Sequence, residues 1–116
     1  MNFKSFVSAG VIAALTLPTT CLANYSCSGA VNYVGIDGGG NVVVAVGNTP
    51  LHTICSVVSQ GAFSMAVPVC KAAYASFVAA RLAGKNMTIY YNDNGLTCTT
   101  FSPWTSVPAN FVAGPE

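Results

Sequence analysis

Residues 68–84 read PVCKAAYASFVAARLAG, and they are the one segment of the chain with a helical pattern. Pro68 suits a first helical turn, where its missing N–H leaves no hydrogen bond unmade. Gly84 stands where a left-handed residue commonly ends a helix. Five residues share a stripe with the spacing of a buried helical face, namely Cys70, Ala73, Tyr74, Phe77 and Ala80. This segment is therefore predicted to be a helix packed on a core.

Runs with β-strand composition lie on both sides of this helix. Upstream, residues 30–36, 42–46 and 52–58 are rich in β-branched side chains, and the Gly-rich stretch 37–41 predicts a hairpin between the first two. Downstream, residues 86–92 and 96–101 are predicted strands on either side of a turn at 93–95. An apolar piece at residues 109–113 could form one more short strand.

The order of elements is β-β-β-α-β-β, which predicts a mainly β domain with one helix. A helix between the third and fourth strands is the arrangement of the OB-fold, a partly open five-stranded Greek-key barrel. We therefore predict an OB-fold-like five-stranded barrel. The alternative is an α+β sandwich, in which one antiparallel sheet carries the helix on one face.

The first 23 residues have the three parts of a secretory signal peptide. Lys4 gives a positive start, residues 6–17 are almost wholly apolar, and Cys21 and Ala23 stand three and one before the expected cut. The apolar run is too short to span a bilayer, which takes about 20 residues. We therefore expect residues 24–116 to form a single secreted or periplasmic domain without a transmembrane span.

Four cysteines lie in residues 24–116, and an even number in a short exported chain indicates two disulfides in one of three connectivities. We favour Cys55–Cys70, from the third strand to the start of the helix, and Cys27–Cys98, from the first strand to the fifth. Unpaired core cysteines are the alternative. Neither a metal site nor a cofactor is predicted, because the chain has no Cys-x-x-Cys motif and His52 is its only histidine.

Charged residues make up only 6% of the chain, against about 25% in ordinary proteins. The formal charges of residues 24–116 sum to zero, because three positive residues are balanced by three negative ones, namely Lys71, Arg81 and Lys85 against Asp37, Asp93 and Glu116. No basic stripe is present, so nucleic-acid binding is not expected. A charge-poor surface does little to keep copies apart, which makes a homo-oligomer a reasonable hypothesis.

Residues suited to catalysis are scattered along the chain. Asp37 and Asp93 lie in separate turns, and Glu116 is terminal, so no carboxylate pair for acid–base work is indicated. Cysteines in disulfides are not nucleophiles, and no Gly-x-Ser-x-Gly motif is present. His52, a lone histidine on a strand, is predicted to be a solvated surface residue. We therefore expect that the protein is not an enzyme.

Aromatic rings are many for a domain of this size, which favours binding. Tyr90 and Tyr91 are neighbours on a strand, so one is expected in the core and the other at the surface. Trp104 follows Pro103 in a turn-like segment that is less suited to a core. A ring face can cover the apolar C–H patch of a sugar while amides and carboxylates bind its hydroxyls. The candidate ligand-binding residues are Trp104, Tyr91, Asn92 and Asp93. The alternative is that Trp104 folds back and caps one end of the barrel.

Residues 83–90, AGKNMTIY, have the pattern of a helix that ends in a glycine cap and continues directly into a strand. With the disulfides of an exported domain, it resembles the small OB-fold binding subunits of bacterial AB5 toxins, above all the subtilase cytotoxin B subunits. The opening Cys27-Ser28-Gly29 also looks like that of a group of short exported bacterial proteins. The resemblance implies a homopentamer that binds cell-surface glycans and delivers a catalytic partner. It carries no individual site residue over to this chain.

The combined hypothesis is an exported, non-enzymatic binding domain for a cell-surface glycan. One alternative is an envelope-associated structural or protein-interaction domain, whose partner protein binds an exposed strand edge. Another is a small enzyme inhibitor on a rigid disulfide scaffold.

Overall fold

The computed structural model describes residues 24–116, so the predicted signal peptide lies outside the described residues. These residues are mainly β with one helix, as predicted. Its elements are β1 (Tyr25–Ile36), β2 (Asn41–Val46), β3 (His52–Ser56), α1 (Val67–Ala83), β4 (Asn86–Tyr91), β5 (Thr105–Ser106) and β6 (Ala109–Ala113). Within residues 24–116, no helix combines the length and the apolar composition needed to cross a membrane.

The strands form one mixed six-stranded sheet in the order β5-β3-β2-β1-β4-β6. β3 and β5 are parallel, and every other neighbouring pair is antiparallel. The sheet is not closed, so the strands do not form a closed five-stranded barrel. Its two edge strands, β5 and β6, follow one another in the chain and are separated only by Val107 and Pro108.

β1 is shared between two partners, because residues 25–30 pair with β4 and residues 31–36 pair with β2. Gly29 lies where the partner changes and has a φ of 154°. A Cβ atom at Gly29 would lie 2.5 Å from the Cα atom of Gly47, which follows β2. This close approach of two backbones needs glycine.

The predicted strand at residues 96–101 is wrong, because this stretch forms turns. The Thr97 N–H donates to the Thr100 side-chain oxygen at 2.7 Å, and the Thr100 N–H donates back to the Thr97 carbonyl at 3.1 Å. Threonine side chains that bond the local backbone compete with strand pairing. The short strand at residues 109–113 does form and is β6.

α1 has the predicted ends, with Pro68 in its first turn and Gly84 as a left-handed cap at a φ of 68°. The Lys85 N–H donates to the Ala80 carbonyl at 2.9 Å, which satisfies one of the last helical acceptors. Of the predicted stripe, Tyr74 is partly buried against the core, and the buried members are Cys70, Ala73, Phe77 and Ala80.

Two disulfides hold the domain, in the predicted pairing. Cys55–Cys70 joins β3 to the first turns of α1, with 5.8 Å between the Cα atoms. Cys27–Cys98 joins β1 to the connection between β4 and β5, with 5.7 Å between the Cα atoms. Cys98 therefore lies in a turn rather than on a fifth strand. The core between sheet and helix is built mainly from β-branched and aromatic side chains, including Val42, Val44, Val46, Ile54, Phe77, Ile89 and Tyr91.

Candidate functional site

Trp104 is the single tryptophan of the chain, and its side chain is 65% exposed. Its backbone is left-handed, with a φ of 67°, and it is the only non-glycine residue between 24 and 116 with a positive φ. The Trp104 N–H donates to the Leu51 carbonyl at 2.7 Å, and the next residue, Thr105, pairs with His52 of β3. A large ring is thus presented to solvent by a backbone conformation that is costly for a bulky residue.

Tyr33 on β1 is the neighbour of Trp104, with 6.5 Å between the ring centroids and 77° between the ring planes. The Tyr33 ring lies along its own strand over Gly35, where a Cβ atom would come within 3.2 Å of the ring and of its hydroxyl. Tyr33 is 43% exposed. The two rings therefore form a corner on the outer face of the sheet, which we call the ring platform (Tyr33 and Trp104).

Tyr91 has a different environment, because it is completely buried. Its ring stacks on Tyr25 with the centroids 5.0 Å apart, and its hydroxyl is bonded to His52 Nε2 at 2.6 Å. Tyr90, by contrast, is half-buried and stacks on Phe111 at 4.3 Å. Tyr91 thus contributes to the core and presents no surface to a ligand.

Asn92 and Asp93 use their side chains in local structure. The Asn110 side-chain amide donates to Asn92 Oδ1 at 2.6 Å, and the Gly95 N–H donates to Asp93 Oδ1 at 2.9 Å. In the part of the chain that the structure describes, no hydrogen bond or ring contact joins Trp104 to either residue. The structure thus brings Trp104 together with Tyr33 and not with the other predicted site residues.

The prediction that His52 is a surface residue is wrong, because its side chain is fully buried. His52 Nδ1 lies 2.8 Å from the Pro50 carbonyl, which can only accept, so this nitrogen carries the proton. Nε2 therefore accepts from the Tyr91 hydroxyl. Burial lowers the pKa of His52 and raises the pKa of Tyr91, so both groups are neutral at pH 7.

A sequence signal for the buried histidine did exist. Strand alternation places His52 on the same face as Ile54 and Ser56, and all three are buried. The sequence signal that Tyr33 lies at the surface site is weaker. Only Gly35, two residues further along the strand, distinguishes Tyr33 from the other tyrosines.

The ring platform is suited to holding a ligand by stacking and hydrogen bonding. Ser102, Thr105 and Ser106 are exposed beside Trp104, and residues 94–115 contain no charged side chain. Among residues 24–116, no three His, Cys, Asp or Glu side chains come together as a metal-binding group.

Comparison of this chain with protein-family models, with curated proteins and with solved structures gives no match.

Proposed function

We propose that this chain is an exported, non-enzymatic binding domain whose ring platform holds an uncharged glycan. The observation that carries the proposal is Trp104, a 65% exposed indole on a left-handed backbone. Apolar ring surface in water is unfavourable, and so is this backbone conformation for a residue with a Cβ. Strained backbone and exposed apolar rings, although unfavourable in the free protein, are concentrated at binding sites, where they contact a ligand.

The chemistry of the surroundings supports a sugar as the ligand. The indole face can cover an apolar C–H patch, and the hydroxyls of Ser102 and Ser106 can exchange hydrogen bonds with ligand hydroxyls. The Thr105 hydroxyl donates to the Ser102 carbonyl at 2.6 Å and can still accept from a ligand. Residues 94–115, which carry Trp104, contain no charged side chain. The guanidinium of Arg81 lies just before Tyr33 but already donates to the Val31 and Asn32 carbonyls. An uncharged ligand is therefore favoured over a sulfated, phosphorylated or sialylated one.

The course of the chain supports an OB-like arrangement of the domain. If β5 and β6 are taken as two halves of one strand, this strand pairs with β3 at its start and with β4 at its end. β1 likewise pairs with both β2 and β4. OB-folds bind oligosaccharides with the loops before their second and fifth strands. Trp104 lies at the end of the connection that precedes β5.

A glycan array followed by isothermal titration calorimetry of the wild-type protein and its variants tests the proposal. The wild-type protein should bind uncharged glycans, and Trp104→Ala should weaken binding at least about tenfold, equal to ~1.4 kcal/mol. Phe111→Ala is the matched control, because Phe111 is also an exposed ring, at 52%, and lies on β6 away from the platform. An array without binding, or equal loss in both variants, would contradict the proposal.

A protein-interaction domain is the second candidate, and the free edge of β6 favours it. β6 pairs with β4 on one side only and contains no charged residue or proline that would block a further strand. An apolar groove of about 220 Å³ lies between α1 and β6, and its lining includes Val69, Phe111 and Val112. If this candidate is correct, Phe111→Ala should lose a defined partner protein while Trp104→Ala keeps it.

A further inference from the structure

The ring platform is held in place by a very short pairing. β5 contributes only two residues, with Thr105 opposite His52 and Ser106 opposite Thr53. On either side of β5, the Trp104 N–H donates to the Leu51 carbonyl at 2.7 Å and the Val107 N–H donates to the Thr53 carbonyl at 2.8 Å. A segment with so few backbone bonds belongs to the part of a protein that opens most easily.

His52 lies directly beneath this pairing. Its side chain is fully buried, and both of its ring nitrogens are engaged, by the Pro50 carbonyl and the Tyr91 hydroxyl. Phe101 closes the site from the same connection that carries Trp104, with its ring centroid 4.6 Å from that of His52. The one histidine of the chain is therefore packed under the segment that presents the exposed indole.

We propose that His52 is a positioning residue for Trp104. While His52 is neutral, the segment that carries Trp104 stays closed over it, and when His52 gains a proton this segment opens and the ring platform is displaced. The inference rests on the proposed function, in which Trp104 is the ligand contact.

A proton on Nε2 would find a neutral hydroxyl oxygen but no counter-charge in the closed structure. From β4 it would face the Tyr91 hydroxyl, which now donates to this nitrogen, and behind it lies Tyr25 of β1. Phe101 faces the ring from the connection before β5, and the Asp93 carboxylate accepts from the Gly95 N–H instead. No carboxylate among residues 24–116 bonds the imidazole.

A buried cation without a counter-charge is strongly unfavourable. Water reaches His52 with the least disruption when residues 99–107 lift, because this stretch lies beyond the Cys27–Cys98 disulfide and is held to β3 only by the short β5 pairing. The other sides of His52 are β2 and β4, which are paired along their length, and α1, which is tethered by Cys55–Cys70. Protonation of His52 and displacement of Trp104 are thereby the same event.

The direction of the effect follows from linkage. In the open form His52 is hydrated and titrates near its ordinary pKa of about 6.5. In the closed form its pKa is lower, because burial disfavours the cation. Below pH 6.5 the ratio of open to closed molecules therefore rises about tenfold per pH unit, until the pKa of the closed form is reached.

Native-state hydrogen exchange of the Trp104 and Val107 amides tests this coupling without any ligand. The opening equilibrium is measured from pH 8 to pH 5, after correction for the intrinsic exchange rate. In the wild-type protein it should be nearly flat above pH 7 and rise below pH 6.5, by at most about tenfold per pH unit, until the closed form itself gains the proton. The amide of Phe77, inside α1, serves as the reference for global unfolding and should be more strongly protected.

Two variants separate titration from packing. His52→Gln keeps a hydrogen-bonding side chain but cannot gain a proton, so its Trp104 amide should lose the pH dependence. Tyr91→Phe removes the same hydrogen bond from the other side and leaves the imidazole, so it should keep the pH dependence while opening more often overall. If both variants lose the pH dependence of opening, then opening depends on the His52–Tyr91 hydrogen bond and not on protonation of His52, which would contradict the proposal.

The proposal is overturned if the wild-type Trp104 amide shows no acid slope, or if it exchanges at the same rate and with the same slope as Phe77. Both readouts use the wild-type protein, so they decide the question even if His52→Gln does not fold. A glycan array without binding would remove the proposed function but leave this result standing.

Discussion

Tyr90 and Tyr91 show how much a side chain's role depends on which side of a strand it occupies. Tyr91 is completely buried and donates a hydrogen bond to a buried histidine, whereas Tyr90 is half-buried and stacks on Phe111. The Tyr91 hydroxyl matters because His52 Nε2 is an acceptor without access to water. A buried acceptor that loses its donor costs more free energy than an ordinary hydrogen bond contributes.

Tyr91→Phe is therefore expected to lower the free energy of unfolding by about 1–3 kcal/mol at pH 7. Burial raises the pKa of Tyr91, so the wild-type protein gains stability from the neutral phenol below pH 10 and loses it as the pH rises further. The variant should lose less stability between pH 9 and pH 11. Urea denaturation at several pH values measures both effects, and Tyr90→Phe is the control, expected within about 0.5 kcal/mol of wild type. Equal losses in the two variants would contradict the assignment.

The sequence is a partial guide at this scale. It indicates that Tyr90 and Tyr91 point to opposite faces, but which face is the core depends on what packs against β4. The exposure of Trp104 follows from Pro103 and the turn-like surroundings. Its partnership with Tyr33 does not, because the two residues are 71 positions apart and meet only through the pairing of β5 with β3.

Among the elements, α1 is the one most completely specified by its own residues. Its apolar spacing, its first-turn proline and its glycine cap all lie within the segment. Residues 96–101 have the composition of a strand but form turns, because threonine side chains bond their own backbone there. Composition does not distinguish the two outcomes, since a strand also needs a free partner edge.

The two disulfides should contribute unequally to stability. Cys55–Cys70 closes a separation of 15 residues and Cys27–Cys98 one of 71, which chain entropy converts to about 3 and about 4 kcal/mol. We expect Cys27→Ala/Cys98→Ala to be less stable than Cys55→Ala/Cys70→Ala when both are unfolded in urea. The reverse order would show that packing between β3 and α1 outweighs the effect of loop length.

For the whole molecule, the low charge and the exposed apolar side chains favour association of copies. Residues 24–116 carry three positive and three negative side chains, which leaves no net repulsion. Three apolar side chains are well exposed on α1 and β6, namely Val69 at 52%, Leu82 at 83% and Phe111 at 52%.

Light scattering of the purified protein should therefore give a mass that is a multiple of that of one chain. Leu82→Lys and Phe111→Lys place a charge on each exposed patch in turn, and the variant that lowers the mass identifies the contact. A strict monomer across the micromolar range would contradict a ring assembly and leave the glycan proposal to stand on Trp104.

The architecture as a whole could be predicted only coarsely. Strand composition and one helix indicate a mainly β domain, because these are local properties. Whether β5 and β6 close a barrel depends on pairings across the whole chain and on Val107 and Pro108, the two residues that separate these strands. Proline has no N–H to offer a neighbouring strand.

Because β1 pairs with both β2 and β4, its two halves find their partners at different times during synthesis of the chain. Its second half can join β2 as soon as Val46 exists, since the two are hairpin neighbours. Its first half must wait for Asn86–Tyr91, and β4 in turn gains its outer neighbour only when Ala109–Ala113 arrives. The earliest strand to be made is thus among the last to be completed, and the sheet of the nascent domain stays incomplete until Ala109–Ala113 has been synthesised.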